Sequence, residues 1–140
     1  MRTRKSGSAD ASASPVILIR LKPWQIMREE IESGTFRAGH GYRDDMSSSD
    51  LVDSTRAWWR IRPERVRCEG IRHAVAVHQG ITRAVVEIGD WFQRSEDRRW
   101  AFSATLVTEG PIYDEWVGPS GRTLNFARGD QSPIRYWTPS

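Results

Sequence analysis

Residues 74–88, AVAVHQGITRAVVEI, contain the clearest structural signal in the chain. Two runs rich in small and β-branched apolar residues, 74–78 and 81–88, flank the dipeptide Gln79-Gly80. A two-residue link with a glycine, which tolerates a positive φ, is typical of a tight β-hairpin. The sequence therefore predicts two antiparallel strands joined by a short turn.

Other short runs predict further strands. The apolar run at 16–19, after Pro15, is typical of a buried strand, and residues 100–106 alternate large apolar with small or polar side chains. A final strand is predicted at 134–137, and the polar residues 95–99 form the loop before the 100–106 strand. No rhythm of alternating strands and helices is present, which argues against a parallel α/β fold.

Three segments predict helices. Ile26, Met27 and Ile31 fall at helical spacing before Gly34, so we expect a helix over 25–34. A long irregular segment is expected over 34–50, followed by a short helix that Ser49 or Asp50 caps and another that starts at Pro63. Several short strands with two or three short helices predict an α+β fold built as a small mixed barrel.

Length and composition favour one globular domain. The chain has 140 residues, of which 38% are hydrophobic and 28% charged. Residues 1–14 are small, polar and basic, so we expect a disordered tail followed by a single domain over 15–140. No apolar run approaches the roughly 20 residues that span a bilayer, and none follows the basic N-terminus as in a secretory signal.

The charge of the chain is concentrated in arginine. The net charge is +3, and lysine accounts for only Lys5 and Lys22 among 21 basic residues. Arginine binds phosphates and guanine edges in a planar, bidentate manner, whereas a GC-rich genome would produce the same bias. The tail holds three basic residues and one acid, +2, which leaves +1 for the body. The segment 56–72 is the densest basic stretch, and its arginines form either a solvated face or a phosphate-binding surface.

Cysteine and histidine exclude several site types. The single Cys68 permits no internal disulfide, so a reducing cytoplasm is the expected compartment. His73 and His78 are five residues apart on a predicted strand and lie on opposite faces, which argues against a shared metal. No phosphate-binding glycine loop, nucleophile elbow or zinc motif is present. We therefore expect no catalytic residues, no metal and no cofactor.

Seven tryptophans in 140 residues are an unusual surplus. Trp91 and Trp100 fit core positions in predicted strands. Trp24 and Trp58 instead lie beside arginines in segments with little apolar periodicity, an arrangement that suits a stacked base. The neighbours Trp58 and Trp59 are expected to point in different directions, so that one packs while the other faces a ligand.

The order of motifs resembles the PUA-like superfamily. The strand and turn ILIRLKPW resemble the start of ASCH domains, although the segment from Gly34 to Arg43 lacks the lysine and glutamate of the ASCH motif GxKxxExR. The later segments STRAWWRI, HAVAVHQGITRAVVEIGDW, RRWAFSATL and NFARGDQSPIRYW resemble EVE-like proteins of bacteria, often found beside restriction functions. Together they cover about residues 15–138.

The resemblance implies a small PUA-like β-pseudobarrel with a pocket for one flipped base. It suggests a non-enzymatic reader of modified DNA, with 5-methylcytosine as the first candidate, similar to bacterial stand-alone methylcytosine-binding proteins. In this hypothesis Trp24 and Trp58 enclose the base, while Ser54, Thr55 and Arg56 read its polar edge or hold the loop. The residues expected to neutralise phosphates are Arg20, Lys22, Arg43, Arg60, Arg62 and Arg122.

Three alternatives remain open at this point. The first alternative is a PUA-like RNA-binding module, and the second is a small ASCH-type hydrolase of modified nucleosides. The third is an interaction subunit of a defence system. The hydrolase would need a lysine and a carboxylate converging in a pocket, and Lys22 is the one lysine of the predicted domain.

Overall fold

A computed structural model describes residues 14–139, an α+β structure with one five-stranded mixed sheet, a two-stranded ribbon and three short helices. Its strands are, in chain order, β1 (Val16–Arg20), β2 (Gln25–Glu32), β3 (Thr35–His40), β4 (His73–His78), β5 (Ile81–Gln93), β6 (Trp100–Val107) and β7 (Ile134–Trp137). The helices are α1 (Ser48–Arg56), α2 (Pro63–Cys68) and α3 (Pro111–Trp116). The predicted tail lies outside the described residues except for Ser14.

The large sheet has the order β6-β5-β4-β1-β7, and its one parallel pair is β1 with β4. Strands β4 and β1 are buried nearly throughout because both faces of the sheet are covered. On one face Ile17, Ile19 and Phe102 pack with Val66 of α2, and on the other Val16 and Leu18 pack with Trp116 of α3. In residues 14–139 the outer strands β6 and β7 do not pair with each other, so the sheet is not a closed barrel.

The central hairpin confirms the prediction from residues 74–88. Strand β4 pairs with β5, and both linking residues have positive φ, +53° at Gln79 and +76° at Gly80. This is the backbone of a tight hairpin turn, in which glycine avoids the steric cost of a Cβ. The predicted strands at 16–19, 100–106 and 134–137 are also confirmed.

The turn conformation predicts different effects on stability for substitutions at Gly80 and at Gln79. We expect Gly80→Ala to lower the free energy of unfolding by roughly 1–2 kcal/mol, because alanine disfavours a positive φ. The new Cβ would also lie 3.3 Å from the backbone oxygen of Leu124. Gln79→Asn should leave stability unchanged or raise it, since asparagine tolerates this conformation. Urea denaturation midpoints test both, and equal losses in the two variants would contradict the argument.

The predicted helix over 25–34 is wrong, because this segment forms strand β2 and a turn. Strand β2 pairs with β3 through two irregularities in register, and Ser33-Gly34 joins the two strands with Gly34 at a φ of +79°. The glutamate-rich segment has good helix propensity, but pairing places Glu29 opposite Arg37 and buries Ile31. Strands β2 and β3 together are called the ribbon below.

Two neighbouring predictions also change in detail. The irregular segment expected over 34–50 contains β3 and the start of α1, so its irregular part is much shorter. Helix α1 is capped by Ser47, whose Oγ accepts the Asp50 amide at 3.1 Å, rather than by Ser49 or Asp50. Helix α2 begins at Pro63 as predicted. Helix α3 was not predicted, although Gly110-Pro111 is a common way to begin a helix.

Candidate functional site

One cavity lies between the ribbon and the far end of β5. Its volume is about 440 Å³, within the range of about 300–1,000 Å³ that is typical of small-molecule sites. We call it the Trp58 cavity, after the aromatic residue at its base. It is lined by Glu29, Glu30, Ile31, Glu32, Ser33, Trp58, Phe92, Gln93, Arg94 and Glu96.

Trp58 is held by apolar neighbours and presents little of its surface. Its side chain is 6% exposed and packs with Ile31, Ala57 and Ala101. Phe92 meets it edge-on, with 5.8 Å between ring centroids, and the guanidinium of Arg94 lies 4.8 Å from the ring centroid. The indole Nε1 is buried and has no hydrogen-bond partner among residues 14–139. A buried donor of this kind gains free energy from any acceptor that reaches it.

The two neighbouring tryptophans point in different directions, as predicted. Trp59 packs against the main core while Trp58 joins the smaller cluster beside the ribbon. Backbone hydrogen bonds between Trp59 and Trp100 hold this segment alongside β6. The sheet thus holds Trp58 in place through its neighbour Trp59, and the ribbon forms a wall of the cavity.

A network of ion pairs fixes the wall of the cavity. Glu29 accepts hydrogen bonds from Arg37 at 2.6 Å and from Arg94 at 2.9 Å, and Arg94 also binds both oxygens of Asp97. Burial opposes ionisation of Glu29, but the bonds from Arg94 and Arg37 outweigh it and lower the pKa of this carboxyl. The hydrogen bond from Arg94 likewise holds the pKa of Asp97 well below its usual range.

We expect acid to loosen this wall. Because the pKa of Glu29 is lower in the folded chain than its ordinary value of 4.5, the unfolded state binds the proton more readily below that pH. The free energy of unfolding should therefore fall as the pH drops from about 5 to about 3. Glu29→Gln should make this fall less steep in urea titrations. Equal slopes for wild type and Glu29→Gln would contradict this expectation.

The predicted edge-reading residues lie beneath the surface rather than in the lining. Thr55 is fully buried and its hydroxyl donates to the Leu51 carbonyl at 2.7 Å, and Ser54 is buried as well. Arg56 donates to Asp53 at 2.9 Å and lies 3.7 Å from Glu32, a residue of the Trp58 cavity. Arg56 thus supports the cavity through Glu32, and the lining carboxylates occupy the place expected for Ser54, Thr55 and Arg56.

Trp24 does not join Trp58. It lies half-buried against Gly39 of the ribbon, where a side chain at position 39 would meet the indole ring. Arg43 stands over the Trp24 ring at 5.1 Å from its centroid and pairs with Asp45 at 3.6 Å. The structure therefore separates the two tryptophans that the sequence assigned to one pocket.

A second cavity of about 240 Å³ contains two of the predicted phosphate-binding residues, Arg20 and Lys22, and is called the Arg20 cavity. Arg20 donates to the backbone oxygen of Asp130 at 3.0 Å and lies over Phe126 at 4.3 Å from the ring centroid. Arg122, a third predicted residue, lies over the Trp116 ring at 4.4 Å. The structure does not bring these three together with the Trp58 cavity.

The basic segment 56–72 divides into paired and unpaired arginines. Arg56 is buried, and Arg65 pairs with Glu69 at 2.6 Å. Among residues 14–139, four exposed arginines of this segment have no carboxylate within 4 Å. These exposed arginines are Arg60, Arg62, Arg67 and Arg72, of which Arg60 and Arg62 were predicted to bind phosphates.

Sequence reasoning missed the cavity residues outside Trp58. Strand β5 continues to Gln93, five residues beyond its predicted end, and this extension carries Phe92 into the cavity. Alternation from the core residue Trp91 is the signal that places Phe92 on the opposite side. No comparable pattern in the sequence indicates the role of Glu29, because that role depends on β2 being a strand.

Comparisons with protein-family models, with curated proteins and with solved structures find no match for this chain. No helix within residues 14–139 is long and apolar enough to cross a membrane. In the same part of the chain, no three histidine, cysteine or acidic side chains lie close enough together to hold a metal ion.

Proposed function

We propose that this chain is a non-enzymatic DNA-binding protein that receives a modified base, 5-methylcytosine in the first place, in the Trp58 cavity. The observation that carries the proposal is the composition of that cavity, with aromatic side chains at its base and carboxylates around it. A flipped base needs an aromatic surface for its ring and a few polar groups for its edge. The Trp58 cavity offers both groups in its lining.

The polar groups of the cavity suit cytosine. Carboxylates accept a hydrogen bond from the exocyclic amine of cytosine, and Glu30, Glu32 and Glu96 line the cavity with exposed side chains. The unpartnered Nε1 of Trp58 is a donor for a ring nitrogen or carbonyl of the base. Phe92 and Ile31 supply an apolar surface for a 5-methyl group.

Phosphates would bind outside the cavity. Four glutamates line it against the single guanidinium of Arg94, so a phosphate inside would be repelled. Arg60 follows Trp58 by two residues, and the exposed arginines continue along the same segment. We propose that a strand of DNA that places a base against Trp58 also contacts these exposed arginines.

The exposed arginines predict a salt dependence. Alanine at Arg60, Arg62, Arg67 or Arg72 should reduce the slope of log affinity against log salt by about 0.9 for each phosphate that the variant no longer neutralises. Arg65→Ala is the matched control, because Arg65 already pairs with Glu69 in the same segment. Anisotropy titrations at several salt concentrations measure both. Unchanged slopes in all four variants would remove this surface from the proposal.

The resemblance to the PUA-like superfamily supports the same proposal. The proposal also includes a PUA-like pseudobarrel related to EVE domains. It further includes a cytoplasmic location and a role in bacterial restriction or defence. An aromatic base pocket beside a basic surface is what such a reader requires. No catalytic residue is assigned, since the proposed activity is binding alone.

The decisive experiment compares matched ligands by fluorescence anisotropy at one stated salt concentration. The ligands are a duplex with a central 5-methylcytosine, the same duplex unmodified and a structured RNA of similar length. Burying one methyl group contributes about 0.8 kcal/mol, so the methylated duplex should bind about fourfold more tightly or better. Equal affinity for both duplexes would overturn the modified-base proposal, and preference for the RNA would favour the RNA-binding alternative.

One observation favours the hydrolase alternative over an interaction subunit of a defence system. Lys22 and Asp130 both line the Arg20 cavity, which brings a lysine and a carboxylate to one pocket. Asp130, however, is already paired with Arg20 and with Arg135. Incubation with a panel of modified nucleosides, followed by chromatography, tests this reading. Turnover that Lys22→Ala abolishes would establish an enzyme.

A further inference from the structure

Two carboxylates of the Trp58 cavity lack a basic partner. Glu29 and Glu32 each lie within ion-pair distance of a buried arginine. Among residues 14–139, however, Glu30 and Glu96 have no basic side chain within 4 Å, and both side chains are exposed. Glu30 belongs to the ribbon and Glu96 to the loop between β5 and β6, so the two carboxylates approach the cavity from separate elements. Negative charges around one volume favour a cationic occupant.

The shape of the cavity suits an extended peptide. Residues 29–33 of the ribbon line it on one side, and residues 92–94 line it on the other. Because successive side chains of a strand point to opposite faces, an unbroken run of lining residues indicates that the cavity follows the edge of the strand. Within residues 14–139, β2 pairs only with β3, and β5 beyond Ile88 pairs only with β6. Each strand therefore has an edge that can accept the backbone of a peptide.

A segment of this chain has the complementary charge. Residues 1–13, called the N-terminal segment below, lie outside the described part of the chain and contain Arg2, Arg4 and Lys5 against the single acid Asp10. A guanidinium is planar, donates several hydrogen bonds to carboxylates and stacks on aromatic rings. It offers the cavity the same kinds of group as the amine edge and the ring of cytosine, so the two ligands would compete.

The N-terminal segment begins at the end of the sheet that carries the cavity. Strand β1 is parallel to β4, and β4 is antiparallel to β5, so Val16 lies level with the point at which β5 continues past β4 towards Gln93. From Val16, Gln93 is about 20 Å further along the sheet and about 10 Å across it, at about 3.3 Å per residue and about 4.8 Å per strand. The ten steps from Ser14 to Arg4 span up to about 33 Å, so Arg4 can reach the cavity.

The segment also leaves the sheet on the face of the cavity. The backbone N–H of Ser14 donates to the carboxylate of Glu115 in α3, and α3 covers one face of the sheet. Trp91 of β5 packs on the opposite face, so alternation places its neighbour Phe92, which lines the cavity, on the face of α3. The sheet therefore does not separate the N-terminal segment from the Trp58 cavity.

We propose that the N-terminal segment occupies the Trp58 cavity when no other ligand is bound, with Arg2 or Arg4 between Glu30 and Glu96. Its backbone would extend along the unpaired edge of β2. One of its carbonyls would accept the hydrogen bond that Nε1 of Trp58 lacks among residues 14–139. Because the segment and a base would fill the same volume, the segment would inhibit the binding of DNA. The docking itself is independent of the proposed function, whereas this inhibition rests on it.

Paramagnetic relaxation in the full chain tests the docking without DNA. The spin label is attached to Ser6→Cys in a Cys68→Ser background, because Cys68 is exposed and would also react. The label should broaden the amide signals of residues 29–33 and 92–96. Residues 79–80, in the turn at the other end of the sheet, should keep their signal intensity.

Variants of the two arginines show whether charge holds the segment in place. Arg2→Glu combined with Arg4→Glu should abolish the broadening, because like charges would then face Glu30 and Glu96. Arg2→Lys combined with Arg4→Lys is the matched control, which keeps both charges and should retain the broadening. No broadening with the original arginines, or equal broadening in both variants, would overturn the docking and leave the base pocket untouched. Broadening only between a spin-labelled copy and an isotope-labelled copy would overturn docking within one chain and assign the cavity to the segment of a second copy.

Anisotropy titrations with the methylated duplex measure the inhibition. A short flexible linker gives the segment an effective concentration of about 1 mM, so a Kd of about 100 µM for the separate segment would weaken DNA binding about tenfold. Arg2→Glu combined with Arg4→Glu should therefore bind about tenfold more tightly than wild type, although it changes the net charge from +3 to −1. Weaker binding by this variant would show that the segment contacts DNA and would overturn its inhibitory role. Absence of DNA binding by every variant would overturn the proposed function, while the relaxation experiment still decides the docking.

Discussion

Trp58→Leu is expected to lower the affinity for methylated DNA by about 5- to 150-fold, since stacking on an aromatic ring contributes about 1–3 kcal/mol per base. Unmodified cytosine would stack on the same ring, so both duplexes should lose affinity, and the methyl preference of about fourfold sets how far the two losses differ. Binding to unmodified duplex should therefore decrease less, and the ratio of the two affinities should fall towards one. Trp58→Phe, which keeps an aromatic face, should retain most of that ratio.

Burial of Trp58 requires a control for stability. The residue packs with Ile31, Ala57 and Ala101, so its replacement also removes core packing. Trp91→Leu is matched to it, because Trp91 packs on Phe102 with 5.0 Å between ring centroids and lies outside the cavity lining. Both variants should lose stability, measured by urea denaturation, but Trp91→Leu should keep the preference for methylated DNA. A preserved preference in Trp58→Leu would contradict the assignment of the cavity.

The parts of the fold that local chemistry determines could be predicted from the sequence. Gln79-Gly80 specifies its hairpin because the turn conformation depends on the two residues themselves. Pro63 specifies the beginning of α2 in the same way. Strand β1 was predictable because its apolar run is buried on both faces.

The ribbon shows why other parts could not be predicted. The segment 25–32 has residues that favour a helix in isolation, and its strand conformation depends on pairing with β3 and on the ion pair between Glu29 and Arg37. The error carried over to the site. With a helix at this position, no sequence argument could place Glu29, Glu30 and Glu32 around Trp58.

The sequence therefore indicated Trp58 as a candidate but not the residues that surround it in the cavity. The position of Trp58 next to a basic segment suggested this residue, and the structure places it in the lining of the Trp58 cavity. Trp24 has a similar arginine-rich context but packs against Gly39 elsewhere on the ribbon. The difference arises from long-range packing, which the nearest neighbours in sequence do not encode.

Arg37 makes the second large prediction, because it ties the ribbon to the rest of the protein. Its guanidinium donates to Glu29 across the ribbon and to the backbone oxygens of Ala57 at 2.6 Å and Asp53 at 3.2 Å. Those two carbonyls lie at the end of α1, where helix carbonyls lack partners within the helix. One buried side chain thus satisfies a carboxylate and two backbone groups on separate elements.

Arg37→Met should therefore lower the free energy of unfolding by about 2–4 kcal/mol, since it leaves two carbonyls without their donor and removes one of the two arginines that bind a partly buried carboxylate. Arg37→Lys should recover little of this loss, because one ammonium group cannot reproduce the planar set of donors. The control is Arg43→Met, whose exposed pair with Asp45 should contribute less than about 1 kcal/mol. Urea denaturation measures all three variants.

A double-mutant cycle with Glu29→Gln separates the ion pair from the backbone hydrogen bonds of Arg37. Because Arg37 also binds the Ala57 and Asp53 carbonyls, Arg37→Met should remain destabilising when Glu29 is already glutamine. Disappearance of the effect in that background would show that the ion pair alone matters. If Arg37→Met instead unfolds with the wild-type midpoint, the ribbon is held by its apolar packing through Ile31, and its position at the cavity does not depend on Arg37.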